Sequence, residues 1–405
     1  MTQTAFVESC AKTVTGSAAA VARRSRGRPK ARQLLKLLGD KKKILVTTHQ
    51  HPDPDALASC VAMCTLLQQK VPGADVRVSF KGGIGGGLNE QFAKLTDLNP
   101  LPWDDAALLA VDAIVLMDTQ PGFGNSPLPP TVQPAVVIDH HRPGRGGRSK
   151  PKCAFCDIRP DVGAVSSIVF SYFMELEVKI SADLGATLLF AIESDLAGAA
   201  GQPGELDNIA LSNLTLIADT RKLYRMRYLD LPQNFFISYA QALNNAVFYD
   251  TALMSNLDTI PSPERPAIAA DFLLRFDQAK WALVSGIING NLLLSLRTYP
   301  GGKFSAAELM SRLVRGMGEG GGHRSKAGGA IKLKEGTPAE IERVRNVLRR
   351  RYLRALGIKG ARAQRLIPKQ EIAASVGARN TAPVTSTKKS GAHSGAPEEP
   401  APTDL

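Results

Sequence analysis

The chain has 405 residues, of which 44% are hydrophobic and 21% are charged, and its formal net charge is +13 at pH 7. This length is enough for two domains with tails, and the apolar fraction supplies ordinary hydrophobic cores. The apolar stretches reach only the length of core strands or helices, so no membrane span is expected. The composition of the first 30 residues lacks the apolar segment of a secretory signal, which favours a cytoplasmic protein.

The positive charge is concentrated in two segments. Residues 20–43 contain ten Lys and Arg residues against one acid, and residues 341–365 contain nine against one. Because the summed positive charge of these two segments exceeds the net charge of the whole chain, the rest of the chain is mildly acidic. The basic segments could follow a phosphate backbone or another anionic partner, or they could be solvated helix surface, and the sequence leaves both interpretations open.

In chain order, residues 1–39 form a basic, partly disordered leader in which "RQLLKLLGD" predicts a short amphipathic helix. Residues 40–225 then alternate short apolar runs with helical patterns. The predicted strands include "KILVTTH", "DVRVSF", "DAIVLMD" and "AVVIDHH", and the predicted helices include "GAVSSIVFSYFMEL" and "SADLGATLLFAIESD". This alternation predicts an α/β fold with a parallel, Rossmann-like sheet that is covered on both faces.

The second half predicts a smaller domain of a different kind. Residues 226–262 form a helical connector, and residues 263–357 form an α+β domain with a hairpin around Asn289-Gly290 and a basic helix near its end. Residues 358–405 are rich in Ala, Pro, Ser, Thr and Lys, which is typical of a disordered tail.

Two pairs of cysteines are closely spaced. Cys60 and Cys64 fit the apolar face of a predicted helix and are expected to be buried core thiols. Cys153 and Cys156 are spaced like half of a zinc site, but no second pair of ligands lies nearby. We therefore expect neither zinc nor redox chemistry at this pair.

Acids and histidines are concentrated where three predicted strands end. The stretch "THQHPDPDALAS" (48–59) follows the first strand, and two further groups follow "AIVLM" and "AVVI". Because the carboxyl ends of parallel strands share one edge of a sheet, these side chains should lie together. Asp195, near the end of a helix, could approach the same edge. Separately, each residue has an ordinary explanation, such as Asp55 as a helix N-cap, but their coincidence at strand ends favours a metal site.

Such a site needs cations, because neighbouring carboxylates repel one another. Four aspartates and two histidines are about what two divalent ions require if one carboxylate bridges them. Two ions held in this way can position both oxygens of a displacement at phosphorus and activate water. Carboxylate-rich ligation with some imidazole favours Mn²⁺ over Zn²⁺, with Mg²⁺ as the alternative.

The ordered motifs resemble those of the DHH phosphoesterase superfamily over roughly residues 40–335. Members include RecJ-type exonucleases, nano-RNase/pAp phosphatases, cyclic-dinucleotide phosphodiesterases and family II pyrophosphatases. The resemblance to the nano-RNase branch implies that one metal is held by His49 and Asp53, the other by Asp55, His140 and Asp195, with Asp118 bridging both. It also implies that Asp139 orients a histidine and that His141 contacts substrate or donates a proton. His51 would be a neighbour of the ligands.

The second domain carries two further motifs. The stretch "GGGHRSKAGG" (320–329) resembles the glycine-histidine motif of the DHH-associated C-terminal domain, and "SLRT" (295–298) resembles its serine-arginine strand. Backbone N–H groups at such glycines can approach an anion, and His and Arg side chains can add charge-assisted hydrogen bonds. The substrate contacts implied in this way are Arg142, Ser295, Arg297, Gly321, Gly322 and His323.

The resemblance implies a metal-dependent enzyme that hydrolyses short 5′-phosphorylated oligonucleotides, and pAp as a further substrate, by in-line attack of water. Its partners would be short RNA or DNA or a nucleotide, with no membrane, and a homodimer is left open. The alternatives are a RecJ-like exonuclease specific for single strands and a non-catalytic protein that binds nucleotides or nucleic acid. The stretch "KGGIGGGLNEQF" departs from the family pattern, because it lacks the arginine expected beside Asn89.

Overall fold

The computed structural model describes residues 30–84, 88–96, 98–141, 151–196, 203–299, 304–322 and 324–368. Within these residues the chain forms two β-sheets. The first consists of β1 (Lys43–Thr48), β2 (Asp75–Val78), β3 (Ala113–Met117), β4 (Val136–Asp139) and β5 (Phe155–Ile158). Its five strands are all parallel and follow the order β2-β1-β3-β4-β5. The predicted α/β fold with a parallel sheet is therefore confirmed.

Helices accompany this sheet along the chain. They are α1 (Lys30–Leu38), α2 (Pro54–Lys70), α3 (Leu88–Lys94), α4 (Val165–Glu175), α5 (Ala182–Leu196), α6 (Glu205–Ile217) and α7 (Thr220–Arg227), with a short 3₁₀ turn at Ala107–Leu109. The next helix, α8 (Gln233–Asn244), packs in the core of the second sheet. The pattern "AIVLM" of β3 is buried throughout, because apolar side chains on both faces of the strand are covered.

The two faces of the first sheet are covered differently. Alternate residues of β1 and β3, such as Val46 and Val115, join a large core with the helices. The residues between them, such as Leu45 and Leu116, join a smaller cluster with Leu108 and with residues of irregular segments. One face is therefore packed by helices and the other mainly by loops and the 3₁₀ turn.

The second sheet is mixed and has seven strands. These are β6 (Val247–Tyr249), β7 (Ala252–Thr259), β8 (Trp281–Ile288), β9 (Asn291–Thr298), β10 (Glu319–Gly322), β11 (Lys326–Lys332) and β12 (Gln364–Arg365), in the order β10-β11-β9-β8-β7-β6-β12. Within the described residues of this sheet, β7 and β8 are parallel and all other neighbouring strands are antiparallel. The accompanying helices are α9 (Arg265–Leu273), α10 (Ala306–Val314) and α11 (Pro338–Leu356).

The hairpin between β8 and β9 has the predicted turn. Asn289 and Gly290 have φ angles of 48° and 73°. Two consecutive residues in the left-handed region define the turn that fits the twist of a tight hairpin, and Asn and Gly are the residues that adopt it most readily.

Two segments differ from the sequence-based expectation. Residues 247–259, expected in the helical connector, form β6 and β7, because β7 pairs with both β6 and β8 and their apolar residues pack in the core of the second sheet. The beginning of the predicted tail forms β12, which pairs with β6.

The helix predicted within residues 1–39 is present as α1. It packs through Leu34 and Leu38, and the carboxylate of Glu175 accepts hydrogen bonds from its first N–H groups.

Two further features concern the cysteines and membrane spans. Cys60 and Cys64 are buried and unbonded, as expected. Cys153 and Cys156 are joined as a disulfide, a pairing that was not predicted from the sequence.

No helix in the described part of the chain has both the length and the apolar character needed to cross a bilayer.

Candidate metal centre

The ends of β1, β3 and β4 bring the predicted ligands together. Thr48 pairs with Met117, and Met117 pairs with Ile138, so the residues that follow these positions emerge side by side at one edge of the sheet. His49, Asp118 and Asp139 are the residues at or directly after these strand ends. We call this edge, with its acids and histidines, the acid edge. Its members are His49, Asp53, Asp55, Asp118, Asp139, His140, His141 and Asp195.

His49 forms the first group of possible ligands with two aspartates. Its Nε2 atom lies 3.5 Å from Asp118 Oδ2 and 4.0 Å from Asp53 Oδ1. Its Nδ1 atom is 2.9 Å from the backbone oxygen of Gln50 and therefore carries the proton of the neutral ring. Nε2 is then left with the lone pair that a metal ion requires, directed at the two carboxylates.

Asp53 also has a structural role. It precedes α2, and its Oδ1 atom accepts a hydrogen bond of 3.1 Å from the N–H of Ala56. Pro54 occupies the first turn of the same helix, where its missing N–H has no cost. The pattern "PDPD" thus begins a helix and places Asp53 and Asp55 at the acid edge.

His140 forms a second group with Asp55 and Asp195. Its Nε2 atom lies 3.6 Å from Asp195 Oδ2 and 3.5 Å from Asp118 Oδ1. Its Nδ1 atom is 3.2 Å from the backbone oxygen of Val162, so this ring also directs Nε2 toward the acids. Asp55, His140 and Asp195 each offer one possible ligand atom, and these three atoms lie within 4.8 Å of one another.

Asp118 lies between the two groups. It is only 2% exposed, and its backbone has a φ of 56°, which turns the chain sharply at the end of β3. One carboxylate oxygen faces His49 and the other faces His140, each at 3.5 Å. Oδ1 is buried and accepts no hydrogen bond from any of the described residues. A buried carboxylate oxygen without a partner is costly in an apolar setting, so this atom fits a ligand that the protein itself does not supply.

Asp139 holds the neighbouring histidines in place. It is fully buried, and its carboxylate accepts hydrogen bonds from Gln120 Nε2 at 2.6 Å, from the N–H of His140 at 2.8 Å and from His141 Nδ1 at 2.7 Å. Gln120 also donates to the backbone oxygen of His141 at 3.0 Å. Gln120 is not among the residues predicted from the sequence, although its position two residues after Asp118 was an available signal.

The ionisation of His141 follows from these contacts. Burial disfavours its charged form, but the hydrogen bond to Asp139 and the charge of Asp118 outweigh burial and raise the pKa of His141 to about 9. The side chain is a quarter exposed (25%), so it can meet a molecule at the acid edge. With Nδ1 bonded to Asp139, Nε2 is the atom that can present a proton.

Two buried acids at the acid edge, Asp55 and Asp118, have pKa values raised above the ordinary range. Burial and the charge of Asp195 raise the pKa of Asp55 to about 8, although its carboxylate accepts hydrogen bonds from the N–H groups of Val165 and Ser166. Burial and the charge of Asp55 also raise the pKa of Asp118. The chain has therefore collected more negative charge here than its own cations compensate.

These features meet the requirements of a divalent metal centre. Three overlapping groups could each hold an ion: Asp118 with His140 and His141, His49 with Asp53 and Asp118, and Asp55 with His140 and Asp195. Ligand atoms around one ion with bonds of about 2.1 Å are about 3 Å apart, and the distances of 3.5 Å seen here need only a small adjustment.

The second sheet reaches the acid edge through Lys326. Its Nζ atom donates a hydrogen bond of 2.7 Å to the backbone oxygen of Asp195 and lies 3.8 Å from Asp195 Oδ1. On the adjacent strand, Arg297 stands opposite Lys326 in the register. The sequence analysis did not select Lys326, although it lies within the motif "GGGHRSKAGG".

The predicted substrate contacts of β9 form a small network. The guanidinium of Arg297 donates to Asp271 at 2.7 Å and to the hydroxyl of the buried Ser295 at 2.8 Å. Arg297 is therefore held in one orientation beside the strand that carries Lys326. The other two predicted side chains, Arg142 and His323, lie outside the described residues.

The glycines of β10 are explained in part by packing. A Cβ atom at Gly320 would come within 2.8 Å of Met310 on α10, which requires a glycine for reasons unrelated to any ligand. Gly322 has a φ of 145°, and a Cβ atom there would lie 2.4 Å from the backbone oxygen of Lys326. Gly321 faces open space, so it alone of these three offers an unobstructed approach to its backbone.

His51 lies outside the three groups of possible ligands. Its backbone has a φ of 56°, its side chain is exposed, and its Nδ1 atom is 3.0 Å from the backbone oxygen of Gly83. It thus links the loop after β1 to the glycine-rich segment after β2. Asn89 links the same two regions through a hydrogen bond of 3.4 Å to the backbone oxygen of Pro52.

Comparisons with known proteins agree with this geometry. The model of the DHH family, N-terminal domain, matches residues 43–192. An uncharacterized protein of Methanocaldococcus jannaschii is 30% identical over 349 residues, which is 82% of this chain and 68% of that protein. A crystal structure of an exopolyphosphatase-related protein from Bacteroides fragilis has a TM-score of 0.62 at 17% identity, covering 79% of this chain and 96% of that chain, and shows the same fold.

Two probable manganese-dependent inorganic pyrophosphatases are also similar over a shorter region. The protein of Listeria innocua is 29% identical over 181 residues, and that of Streptococcus agalactiae is 31% identical over 157 residues. These matches cover 44% and 38% of this chain, and the chain spans only 56% and 48% of the lengths of those proteins. The family match, the extended similarity to the M. jannaschii protein and the arrangement of the acid edge lead to one conclusion: the chain belongs to the DHH family of phosphoesterases.

Proposed function

We propose that the protein is a divalent-metal-dependent phosphoesterase that hydrolyses short 5′-phosphorylated oligonucleotides and, at the same site, pAp. The observation that carries this proposal is the position of Asp118, whose two carboxylate oxygens face two separate histidine-aspartate groups. A carboxylate placed in this way can bridge two ions. Membership of the DHH family and the similarity to proteins named as manganese-dependent support Mn²⁺ as the ion, with Mg²⁺ as the alternative.

The ligands that we propose follow the two groups. His49 and Asp53 would hold one ion, Asp118 would bridge, and the second ion would be held by Asp55, His140 and Asp195. When bound, the two ions would neutralise the acids, polarise the phosphoryl oxygens and lower the pKa of water.

The protein's own side chains would control proton transfer and orientation. Asp139 and Gln120 fix the ring of His141, so that Nε2 can donate a proton to the leaving oxygen of the substrate. The raised pKa of His141 keeps this proton in place at neutral pH. His49 and His140 are fixed by backbone oxygens and present only Nε2 to the centre.

Residues of the second sheet would bind the substrate. Arg297, held by Asp271 and Ser295, offers guanidinium donors suited to a phosphate group. Lys326 places a second positive charge directly beside Asp195. A phosphate bound at Arg297, with His323 and the backbone of Gly321 as further proposed contacts, would leave the next phosphate of a short oligonucleotide near the acid edge. We propose that the contact of the second sheet with the acid edge, through Lys326 and Asp195, limits the length of the substrate.

The test is a hydrolysis panel with Mn²⁺ or Mg²⁺. The substrates are pAp, a linear dinucleotide, 5′-phosphorylated RNA of increasing length, a cyclic dinucleotide and pyrophosphate, and the proteins are the wild type, Asp118→Ala and the control Asp75→Ala. Asp75 is an exposed residue of β2, away from the acid edge. We expect rapid loss of the shortest RNAs in the wild type and control but not in Asp118→Ala.

Other outcomes would redirect or overturn the proposal. Degradation of long single strands alone would favour a RecJ-like exonuclease, and hydrolysis of pyrophosphate alone would assign the chain to the activity named for its shorter relatives. No hydrolysis of any substrate with either ion would contradict the proposal and favour the non-catalytic alternative.

A further inference from the structure

The exposed face of α7 has an unusual composition for a solvated helix. In "TRKLYRMRY" (220–228), Leu223 and Met226 are buried against the first domain. The residues on the opposite side recur at spacings of three and four, so they form one continuous strip. We call this strip the tyrosine-arginine face, and it consists of Arg221, Tyr224, Arg225 and Tyr228, all of which are exposed.

The two tyrosines project into solvent as a pair. Tyr224 is 64% exposed and Tyr228 is 66% exposed, and their ring centroids are 4.6 Å apart with an angle of 32° between the planes. Aromatic side chains usually bury most of their surface in a core or an interface. Each ring of this pair therefore retains a large apolar face that a flat molecule could cover.

The cations of this helix divide into two sets. Lys222 donates to Asp183 at 2.6 Å, and Arg227 donates through Nε to Glu193 at 2.9 Å. Arg221 and Arg225, on the tyrosine-arginine face, form no salt bridge with any carboxylate in the described ranges. The helix thus uses two cations to attach itself to α5 and exposes the other two beside the aromatic rings.

These attachments also fix where the face lies. Lys222 is bound to the first turn of α5, and Arg227 is bound to Glu193, which lies two residues before Asp195 of the acid edge. The end of α7 that carries Tyr228 is therefore the end near the proposed metal centre. The segment that follows is bound to α3, because Gln91 Nε2 donates to the backbone oxygen of Asp230 at 2.6 Å.

We propose that the tyrosine-arginine face binds the single-stranded part of a nucleic-acid substrate that extends beyond the acid edge. Bases would stack on Tyr228 and Tyr224, and Arg225 and Arg221 would contact the phosphates between them. Stacking on aromatic rings beside arginines is the common way in which proteins hold single strands without reading their sequence. This inference rests on the proposed function, because it assigns a binding position to those nucleotides of an oligonucleotide substrate that lie beyond the same site.

A nucleic acid fits this face better than a protein partner does. Two arginines that form no salt bridge within the described ranges lie beside two aromatic rings, and this combination complements a polyanion that carries flat bases. Tyr and Arg are also common in contacts between proteins, so the argument for nucleic acid is the net positive charge of the face and not its residue types alone. The exposed Phe236 and Ile237 on α8 are the feature that a second copy of the chain would cover. Self-association of the chain is therefore the alternative that the test must distinguish from nucleic-acid binding.

The test measures binding in EDTA, where no metal-dependent hydrolysis can occur. The probe is a 5′-phosphorylated adenosine hexanucleotide with a 3′-fluorescein group, and its anisotropy is followed with the full chain. We expect Tyr224→Ala/Tyr228→Ala to raise the Kd at least about tenfold, because stacking contributes on the order of 1–3 kcal/mol per base. Tyr224→Phe/Tyr228→Phe keeps both rings and should bind within about twofold of the wild type.

The arginines provide a second, independent readout. Neutralising Arg221→Gln/Arg225→Gln should reduce the slope of log Kd against log salt by about 1.4, because each phosphate contact contributes about 0.7 for a single strand. Circular dichroism and the melting temperature show that each variant is folded. Because these measurements need no turnover, a wild type that binds the hexanucleotide but hydrolyses nothing would refute the proposed function and not the tyrosine-arginine face.

Two results would overturn the inference. Unchanged affinity in Tyr224→Ala/Tyr228→Ala would show that the rings do not contact the strand. A sedimentation mass that falls from dimer to monomer in this variant, with unchanged affinity for the hexanucleotide, would identify the face as an interface between copies of the chain.

Discussion

Two clusters of buried acids in the first domain have opposite electrostatics. At the acid edge, Asp118 is buried, and one of its carboxylate oxygens accepts no hydrogen bond within the part of the chain that the structure describes. At the end of β5, Asp157 is equally buried, but Arg159 donates to it through Nε at 3.1 Å and through Nη2 at 2.7 Å, and the hydroxyl of Tyr172 donates at 2.7 Å. We call Asp157, Arg159 and Tyr172 the Asp157 cluster.

The pKa values reflect this difference. At Asp157, burial favours the neutral acid, but the hydrogen bond and the charge of Arg159 outweigh burial and lower the pKa. At Asp55, burial and the charge of Asp195 act together and raise the pKa to about 8. Burial is common to both, so the deciding factor is whether the chain supplies the opposite charge. The Asp157 cluster is complete without a ligand, whereas the acid edge needs cations from solution.

The largest expected effect is the loss of hydrolysis in Asp118→Ala. Removing the carboxylate between the two groups should reduce the rate about a thousandfold or more, because electrostatic stabilisation of several kcal/mol is lost. The same change should leave the metal-free protein as stable as the wild type or more so, since it removes one of several repelling charges. Initial rates with Mn²⁺ and urea unfolding in EDTA measure the two quantities, and a strongly destabilised Asp118→Ala in EDTA would contradict this account.

The matching change in the Asp157 cluster should have the opposite effect, a large loss of stability. Asp157→Ala leaves the guanidinium of Arg159 buried without its partner and should lower the free energy of unfolding by about 3–5 kcal/mol. The double variant Asp157→Leu/Arg159→Met should lose much less, because no charge remains buried. Urea unfolding of both variants checks this, and equal losses would show that packing, not charge, dominates the cluster.

Metal ions should stabilise the protein only through the acid edge. Mn²⁺ at a hundred times its Kd should raise the free energy of unfolding by about 2.7 kcal/mol. The gain should persist in Asp75→Ala and disappear in Asp118→Ala. Thermal unfolding with increasing Mn²⁺ gives the measurement, and an equal gain in all three proteins would place the ion elsewhere.

The pH dependence of the metal-free protein has a definite sign. The folded pKa of Asp55, about 8, exceeds the ordinary value of about 3.9, so its contribution to stability is fully present below about pH 4 and is lost as the pH rises through 8. The melting temperature in EDTA should therefore fall between pH 5.5 and 8.5, and Asp55→Asn should flatten this fall. With Mn²⁺ the trend should reverse, because ions bind the deprotonated acids.

The contribution of the Asp157 cluster to stability is lost at acid pH, whereas that of Asp55 is lost at alkaline pH. Its folded pKa is depressed, so its contribution is present above the ordinary value of about 3.9 and is lost as the pH falls further through the folded value. Acid unfolding of Asp157→Asn should accordingly be less steep than that of the wild type. A wild type and variant with the same acid transition would contradict the assignment.

The smallest expected effect separates the two roles of Asp53. Asp53→Ala removes the N-cap of α2 and should cost about 1 kcal/mol of stability, whereas Asp53→Asn keeps an acceptor for the N–H of Ala56 and should cost little. Both changes should weaken Mn²⁺ binding if Asp53 is a ligand. Urea unfolding combined with Mn²⁺ titration distinguishes the cap from the ligand.

The strands that carry the acid edge could be predicted because their sequences are unambiguous. β3 is an uninterrupted apolar run that is buried throughout, and Asp118 directly follows it. The rule that parallel strands share a carboxyl edge then places Asp118 beside His49 and Asp139 without any tertiary information. The site residues that could be predicted are therefore those that lie at the ends of the strands.

Features that depend on contacts between distant segments could not be predicted in this way. β5 reads "FCDI", too short and too polar to identify, and its buried Asp157 is explained only by Arg159 and Tyr172. Lys326 reaches Asp195 from 131 residues away, and nothing in its local sequence indicates that contact. The strands β6 and β7 were not predicted, because they follow a helical segment and their conformation depends on pairing with each other and, for β7, with β8.

The most direct test of the central claim is a titration of the metal-free protein with Mn²⁺, in which electron paramagnetic resonance reports the concentration of free ion. The account predicts that each wild-type chain removes two ions from solution, that Asp157→Asn does the same while it remains folded, and that Asp118→Ala loses tight binding. Binding that Asp118→Ala leaves unchanged, or no binding by the wild type, would contradict the claim that the acid edge is a metal centre.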